Sequence, residues 1–422
     1  MSKFSLGLLR DGNYRNLFTS YVVSAGGTQV LQLAMPLIAL ESLAASEFEV
    51  GVVSALSTAA FLLVGLPAGA LIDRMRLRRV LVVCDLARAA LLATLPVAWW
   101  FDALSMWQLY LVVLAVGVCT VFFDMASQTC LPRLVGRDNL VEANSKIGGV
   151  GESSRLVGPA VGGQLIGWLS APVSVLISTV ALGASALFLR RLDGLDRLPE
   201  RAAAPATLRA DIAEGLRYVA RHPILRAMAA SAGWANLWIA AYSAMMLVYL
   251  ARVADLSAGG IGMFLSVCGV GGLVGAFWSR RVMGLLGEGR CLWILRLVGT
   301  PLYLGLPLLA PDWGVWPAAV ALSLSSAAMV VVNVAQTSAR QLMTADHLLG
   351  RVNATMRVLN WSTLPLGGVL GGVLGGWLGA PQTLLITAAL ASLSFVPTLL
   401  SPLRTMRRLP VAPTPEPSGV SA

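Results

Sequence analysis

Long uninterrupted apolar runs constrain the fold of this chain more than any other feature. The runs at 109–123, 173–189 and 384–400 contain no charged residue and do not alternate between polar and apolar positions. Of the 422 residues, 57% are hydrophobic and 12% are charged, whereas a soluble domain averages about 25% charged residues. Backbone in lipid must satisfy its own hydrogen bonds, and a barrel would show short alternating segments. The sequence therefore predicts an all-α polytopic membrane protein.

Apolar windows between charged residues and Pro/Gly breaks predict twelve transmembrane helices, because about 20 residues cross a bilayer. The predicted spans are 16–42, 49–72, 80–101, 105–130, 141–168, 172–190, 224–250, 259–279, 290–310, 314–339, 350–377 and 382–401. Residues 1–14 are polar and basic and are not followed by a short apolar core with a small-residue cleavage site. We therefore expect no cleaved signal peptide.

Basic residues are distributed very unevenly between the two sides of these spans. Of the 31 Lys and Arg residues, 26 lie in loops, in tails or at span ends on one side, and Arg252 lies alone on the other. The remaining four lie within spans: Arg88, Arg155, Arg296 and Arg357. The positive-inside rule then places both termini in the cytoplasm of a bacterial inner membrane protein. The net charge of +10 reflects this topology, and we expect no nucleic-acid partner.

The charge pattern also divides the chain into regions. It predicts a six-helix N-terminal bundle at 1–190, a cytoplasmic linker at 191–223, a six-helix C-terminal bundle at 224–401 and a disordered tail at 402–422. In the linker, Leu208, Ile212, Leu216 and Val219 recur at helical spacing. This spacing predicts an amphipathic helix on the cytoplasmic surface. We expect the protein to be a monomer.

The two halves repeat each other with an offset of 209 residues. The matches are Asn144 with Asn353, Gly162-Gly163 with Gly371-Gly372, Gly167-Trp168-Leu169 with Gly376-Trp377-Leu378, and Ala171-Pro172 with Ala380-Pro381. Even numbers of spans precede both copies, so both copies have the same orientation in the membrane. This parallel repeat about an axis along the membrane normal is the arrangement of major-facilitator transporters.

The loop after the second span carries a charged motif. It reads Gly69-Ala-Leu-Ile-Asp73-Arg74-Met-Arg76-Leu-Arg78-Arg79. This resembles the major-facilitator loop signature G-x-L-x-D-R-x-G-R-[KR], with Arg76 in place of the second glycine. The following Asp85-Leu-Ala-Arg88-Ala is similar to the macrolide-efflux and enterobactin-exporter branch of that superfamily.

The resemblance implies a role for this motif in the transport cycle. It implies a latch that closes the cytoplasmic side when the carrier faces outward. The latch residues are Gly69, Asp73, Arg74, Arg78 and Arg79. The alternative is a basic loop with a topological role alone.

Small residues cluster in the fifth span as Gly158, Pro159, Gly162 and Gly163. This cluster resembles the core of the antiporter signature G-x8-G-x3-G-P-x2-G-G, although Ser145 and Ser154 stand at its two earlier glycines. The resemblance implies an exporter that is sealed against proton leak. The alternative is simple close packing of helices. A glycine cluster at the matching place in the eleventh span supports packing.

Ionisable residues within the spans are candidates for proton coupling, because burying a charge in a membrane is costly. They are Asp124, Glu152, Arg155, Asp85 and Arg88. Asp85 and Arg88, and likewise Glu152 and Arg155, are spaced i and i+3 on one helix face. In the resembled family the fourth span lines the cavity and the third lies outside it. We therefore expect Asp124 to carry the proton and Asp85–Arg88 to be structural, whereas Glu152–Arg155 is either structural or coupling.

Aromatic and amide side chains in four other spans are candidates for a substrate cavity, by their positions in the resembled family. They are Gln29, Gln32, Trp234, Asn236, Trp238, Tyr242, Asn333, Gln336, Arg357, Asn360 and Trp361. Such a lining suits a large amphipathic molecule better than a sugar. The alternative for the aromatic residues is anchoring at the lipid interface.

Motifs for nucleotide, metal or nucleophilic chemistry do not occur in the sequence. It contains neither a G-x4-G-K-[ST] loop nor an H-E-x-x-H pair. We therefore expect no cofactor, no nucleotide, no metal and no enzyme activity. The sequence predicts a secondary active transporter that exports a small organic molecule in exchange for protons. The alternatives are an importer or lipid carrier on the same fold, or a membrane sensor or assembly partner that does not transport.

Overall fold

The described chain is built from helices. The computed structural model describes residues 7–72, 74–136, 139–193, 216–344 and 346–407, and every regular element within these ranges is a helix. Helices α1 to α6 of the first half are Gly12–Leu37, Glu47–Ile72, Leu77–Trp100, Met106–Val135, Leu140–Leu169 and Ala171–Leu189. The predicted all-α fold is confirmed.

The second half follows the same plan with more interruptions. Helices α7 to α14 are Pro223–Val248, Ala258–Leu286, Glu288–Gly299, Gly305–Trp313, Val315–Met343, Asp346–Trp361, Thr363–Ser392 and Val396–Leu399. A tighter 3-10 turn, Thr300–Leu304, joins α9 to α10. This turn contains Pro301, which lacks the backbone donor that an uninterrupted helix needs. Together α9, the turn and α10 correspond to the ninth predicted span.

The number of membrane crossings follows from helix lengths. Ten described segments are long and apolar enough to cross a membrane. One of them, Thr355–Leu399, has 45 residues, about twice the number that one crossing needs. Within it the chain turns at Gly379, whose φ of +78° is not helical, so this segment provides two crossings. Helix α5 is not among the ten but is 30 residues long, which brings the total in the described chain to twelve.

Local polar signals fix where several helices begin. The Asp11 carboxylate accepts a hydrogen bond from the Tyr14 backbone N–H (2.8 Å) and caps α1. Ser46 and Glu49 form a reciprocal capping box before α2, in which the Ser46 N–H donates to Glu49 Oε2 (2.8 Å). These contacts satisfy backbone donors that the first helical turn leaves without partners.

The chain forms two compact units. Unit 1 takes in the described residues of Met1–Ala202, Ser243–Val267 and Gly368–Thr383, and unit 2 takes in those of Ala203–Tyr242, Cys268–Gly367 and Leu384–Ala422. Unit 1 has a buried cluster around Tyr14, Leu81 and Phe123. Unit 2 has its own cluster around Met228 and Val332. The predicted bundle boundaries at 190 and 223 remain a prediction.

Large apolar side chains are exposed over much of the surface. Phe277, Trp377 and Leu400 are each at least 80% exposed. In water such a surface would drive aggregation, whereas in a bilayer it contacts lipid tails. The exposed apolar surface therefore fits a membrane protein.

Some predicted features lie outside the described residues. These are Asp73 of the loop motif, the first part of the linker helix up to residue 215, and the tail beyond residue 407. The described end of the linker, residues 216–221, is helical.

Candidate transport site

A buried charge network ties α3 to α6 within unit 1. The Asp85 carboxylate is paired with the Arg88 guanidinium through Oδ1 and accepts a hydrogen bond from Ser185 Oγ at Oδ2 (2.6 Å). Asp85 is 0% exposed and Arg88 is 6% exposed. The guanidinium also lies 4.5 Å from the centre of the Phe123 ring on α4. Since both charges are enclosed between helices, the geometry is that of a structural pair.

A second polar cluster lies on the exposed surface of α1, α4 and α5. Glu152 and Arg155 form a long ion pair (3.8 Å), and their side chains are 60% and 75% exposed. Asp124 on α4 is also exposed. Tyr21 on α1 lies within electrostatic range of all three charges. Its hydroxyl group is 3.2 Å from where a Cβ on Gly151 would lie. We call Tyr21, Asp124, Glu152 and Arg155 the Tyr21 cluster.

Charged side chains that are exposed within predicted spans imply contact with water. Charged side chains that face lipid are rare because their desolvation is expensive, and charges within spans mark ion or substrate pathways by default. The carboxylates of the Tyr21 cluster are exposed, whereas Asp85 is enclosed and is held by Arg88 and Ser185. The Tyr21 cluster therefore places exposed ionisable side chains within predicted spans.

The small residues of α5 form a close-packed seam. A Cβ on Gly158 would overlap the side chain of Gln29 on α1, and a Cβ on Gly162 would lie 3.3 Å from the Val30 Cα. A Cβ on Gly163 would overlap the Ala258 carbonyl oxygen at the start of α8. At Gly158 and Gly163 a Cβ would overlap its neighbour, and at Gly162 it would be tight, so the small residues allow this close approach.

The α5–α8 contact is also hydrogen-bonded. The Ala160 backbone N–H donates to Ser266 Oγ on α8 (3.0 Å). A Cβ on Gly262 of α8 would overlap the Pro159 carbonyl oxygen. Pro159, Gly163 and Gly262 thus bring two backbones into direct contact.

The repeat places an equivalent seam between α2 and α13. Gly372, which corresponds to Gly163 by the 209-residue offset, would place a Cβ 2.9 Å from the Gly51 Cα on α2. Gly368 lies one turn away, and a Cβ there would be 2.9 Å from the Ala55 Cα. Both copies of the glycine motif therefore make the same type of contact, which supports helix packing as their role.

An ion pair lies beside the second seam. Arg252, after α7, donates to the Ala45 carbonyl oxygen (2.5 Å) and to Glu47 Oε1 at the start of α2 (3.3 Å). Arg252 is the one basic residue on its side of the predicted topology. We call the helix ends around loops 43–46 and 254–257 the arginine-poor end. Both seams and this ion pair lie towards that end of unit 1.

Several of the predicted cavity residues in unit 2 are used in helix packing. The Trp234 indole donates to the Leu390 carbonyl oxygen (2.7 Å), and the Asn236 amide donates to the Asn360 carbonyl oxygen (3.1 Å). Tyr242 is 0% exposed and its hydroxyl donates to the Tyr303 carbonyl oxygen (3.0 Å). These residues hold α7 against its neighbours.

Other members of the predicted set keep polar atoms without partners. The Trp238 indole N–H, the Asn360 Oδ1 and the Gln336 Nε2 are buried and have no hydrogen-bond partner among the described residues. Arg357 stacks over Trp361 at 5.3 Å from the ring centre, and both are exposed, as is Asn333. Unsatisfied buried polar groups are rare in folded proteins and often mark sites of interaction.

The remaining predicted site residues lie on α1 and in the loop motif. Gln32 is exposed, whereas Gln29 is 8% exposed and lies between α1 and α5. In the loop motif, Gly69 is helical, and Arg74 and Arg79 are exposed. Arg78 donates to the Leu192 carbonyl oxygen (3.1 Å) at the end of α6. The described part of the motif therefore joins α3 to the segment that follows α6.

Comparison with known proteins assigns the family. The sequence matches the Major Facilitator Superfamily profile over residues 17–362. This chain belongs to the major facilitator superfamily. It is therefore a multi-pass membrane transporter and not an enzyme, as the sequence predicted.

Its relatives include exporters. The multidrug efflux pump Tap of Mycolicibacterium fortuitum is 29% identical over 389 residues, which cover 87% of this chain and 90% of that protein. The enterobactin exporter EntS of Escherichia coli O6:K15:H31 is 25% identical over 369 residues, which cover 85% and 84%. The predicted resemblance to the efflux branch is confirmed. The chain spans 59% of the length of another relative, an uncharacterised MFS-type transporter of Sinorhizobium fredii, with 28% identity.

Solved structures share the fold. The nucleoside transporter NupG superposes with a TM-score of 0.74 at 11% identity, over 92% of this chain and 98% of that one. A bacterial homologue of the iron transporter ferroportin in its inward-facing state gives 0.71 at 17% identity, over 93% and 99%. At such identities the likeness shows the major-facilitator fold alone.

Sequence reasoning missed Tyr21 as a candidate site residue, and it missed the partner of Arg252. Tyr21 lies on the same face of α1 as Gln32, eleven residues and about three turns away, and this spacing could have identified it. Arg252 was noted as the lone basic residue on its side, but its partner Glu47 is 205 positions away along the chain. Only the packing of the helices reveals that contact.

Proposed function

We propose that this major-facilitator protein is a proton-coupled exporter of a small amphipathic organic molecule, such as a drug, siderophore or secondary metabolite. It would work as an antiporter by alternating access in the bacterial inner membrane, with both termini in the cytoplasm. The names of the relatives, a multidrug efflux pump and an enterobactin exporter, support the direction and the substrate class. The 26-to-1 charge asymmetry supports the topology.

The Tyr21 cluster is the observation that carries the coupling proposal. Asp124 is exposed within a predicted span, and Tyr21 lies within electrostatic range of Asp124, Glu152 and Arg155. A carboxylate among such neighbours can exchange its proton with water on one side and release it on the other. The repeat mate of Asp124 is Asn333, which does not titrate, so coupling is assigned to the first half.

The substrate would be recognised in part by unit 2. Trp238, Asn360 and Gln336 offer one indole donor, one amide acceptor and one amide donor that lack partners in the described chain. Arg357, stacked on Trp361, adds an exposed cation and an aromatic face. Large apolar surfaces with a few polar groups suit amphipathic molecules.

The two glycine seams and the Arg252–Glu47 pair would close the arginine-poor end, which the topology assigns to the periplasm. The loop motif would close the opposite side in the other state of the cycle. Arg78, which already binds the segment after α6, is the described member of that latch with a defined contact.

The coupling proposal is tested by transport into inside-out membrane vesicles with an acidified lumen, using ethidium as an amphipathic probe. One proton exchanged per ethidium against a gradient of one pH unit supplies about 1.4 kcal/mol, which supports about tenfold accumulation. We expect Asp124→Asn to reduce this accumulation to about onefold while leaving ethidium binding and downhill exchange intact. The matched control is Asp102→Asn, an exposed loop aspartate with a φ of +52° that asparagine tolerates.

Other outcomes would contradict parts of the proposal. Loss of accumulation in Glu152→Gln with retention in Asp124→Asn would move the proton site to α5. If both variants retain gradient-driven ethidium accumulation, the carboxylates of the Tyr21 cluster are excluded from proton coupling. Ethidium accumulation only in right-side-out vesicles would indicate an importer.

A further inference from the structure

The second half contains a buried arginine that the proposed transport cycle does not use. Arg296 on α9 is 3% exposed. Its Nε and Nη1 atoms have no hydrogen-bond partner among the described residues, and the ion pairs found there do not include it. An uncompensated buried charge is strongly unfavourable. We therefore expect a partner for Arg296.

The first half shows how the charge of an equivalent arginine is paired. Arg88 on α3 is paired with Asp85, one turn earlier, and the same carboxylate accepts from Ser185 on α6. One carboxylate thus serves two donors from two helices. Asp85 and Ser185 are each 0% exposed, and the charges of Asp85 and Arg88 compensate each other.

The repeat maps this network onto the second half with its acid missing. Ser185 corresponds to Ser394 by the 209-residue offset, and Arg88 corresponds to Arg296 by an offset one residue shorter. The same shorter offset places Trp293 where the first half has Asp85. The packing agrees, because α9 contacts both α11 and the turn Leu393–Phe395, as α3 contacts α4 and α6.

The substituted network contains two side chains that only donate hydrogen bonds, Arg296 and Trp293, and one hydroxyl group. The Trp293 indole N–H and the Ser394 hydroxyl are buried and, like the Nε and Nη1 atoms of Arg296, lack partners in the part of the chain that the structure describes. The guanidinium and the indole can only donate hydrogen bonds, and the hydroxyl can donate one as well, where the first half has a carboxylate that accepts from two donors. This set favours an anion.

The size of the anion is limited by packing. One turn beyond Arg296, a Cβ on Gly299 would lie 2.7 Å from the Ala328 Cβ on α11. Ser394 is 0% exposed. Close packing on the neighbouring turn and the complete burial of Ser394 favour a small anion over a large oxyanion or a lipid headgroup. We propose that α9 and the Leu393–Phe395 turn bind a halide-sized monovalent anion, such as chloride, which replaces the carboxylate of the first half.

The proposal is tested by thermal stability of the purified full-length protein in detergent, because ligand binding to the folded state raises Tm. Chloride is raised from about 1 to about 100 mM against gluconate at constant ionic strength. We expect a rise in Tm of about 2–4 °C, which is the shift that a modest binding free energy produces in a large domain. Arg296→Gln should abolish the rise. Arg290→Gln, which removes an exposed arginine of the same helix, should keep it.

Two further variants keep the test decisive if Arg296→Gln is poorly folded. Trp293→Phe removes only the indole donor and should shift the chloride response to higher concentration. Trp293→Asp supplies the missing carboxylate and should make Tm independent of chloride. Bromide should give an anomalous peak beside Arg296 in crystals of the wild-type protein. An unchanged Tm in wild type, an equal chloride response in Arg296→Gln, or a response to phosphate alone would overturn the proposal.

Discussion

At the scale of residues, two acid–arginine pairs with the same spacing have different surroundings. Asp85–Arg88 and Glu152–Arg155 both stand three positions apart on a helix. The first pair is enclosed and shares a serine from α6, whereas the second is exposed on α5. Spacing along a helix decides that two side chains meet, and the neighbouring helices decide whether water reaches them.

The enclosed pair should dominate local stability. Asp85→Asn leaves the Arg88 charge without a counterion in a buried position, and breaking such a pair costs about 3–5 kcal/mol. We expect a clear fall in Tm of the purified protein by differential scanning fluorimetry. Glu142→Gln breaks an exposed pair with Lys146 (2.7 Å) and should cost about 1 kcal/mol or less. Equal effects of the two variants would show that the Asp85 network is not structural.

At the scale of elements, glycine determines which helices approach most closely. Gly163 and Gly372 are repeat mates, and each allows a backbone contact, with α8 and α2 respectively. Other glycines, such as Gly149, have open space around the Cβ position. The sequence marks all of them alike, so the seams depend on which glycines face another helix.

Enlarging a seam glycine should open the contact it makes. Gly163→Val would force Ala258 away, and overpacking of this kind costs about 1–3 kcal/mol. In a cysteine-free background carrying Ser266→Cys, we expect thiol labelling by an impermeant reagent to become several times faster. Gly149→Val is the matched control and should leave the labelling rate unchanged. Faster labelling in both variants would mean that valine disturbs helix α5 itself and not the contact between α5 and α8.

At the scale of the whole molecule, charge asymmetry predicts orientation in the membrane. Single cysteines at Ser46, Ser105 or Ser257 should react with an impermeant thiol reagent added to intact cells. Cysteines at Ala203 or Ser418 should react only after the membrane is permeabilised. The reason is that 26 basic residues retain their loops on the cytoplasmic side. Labelling of Ala203→Cys in intact cells would invert the topology and, with it, the assignment of the seams to the periplasmic side.

The sequence alone determined the class of fold, the repeat and the family. Apolar runs longer than a bilayer require helices, and α5 and α6 begin and end within one residue of the predicted spans 141–168 and 172–190. The loop motif and the small-residue cluster were enough to indicate the major-facilitator superfamily. These properties are local, because hydrophobic length and helical period are written into consecutive residues.

The tertiary structure alone decided which residues meet across helices. It placed Tyr21 within electrostatic range of Asp124, Arg252 against Glu47, and Gln29 in the packing of α5 rather than in the open. It also showed that Arg296 and Ser394 lack the acid that joins Arg88 to Ser185. Helical period fixes which side chains share a face, but the partner of each face depends on how helices distant in sequence pack, and that follows from the summed fit of many side chains.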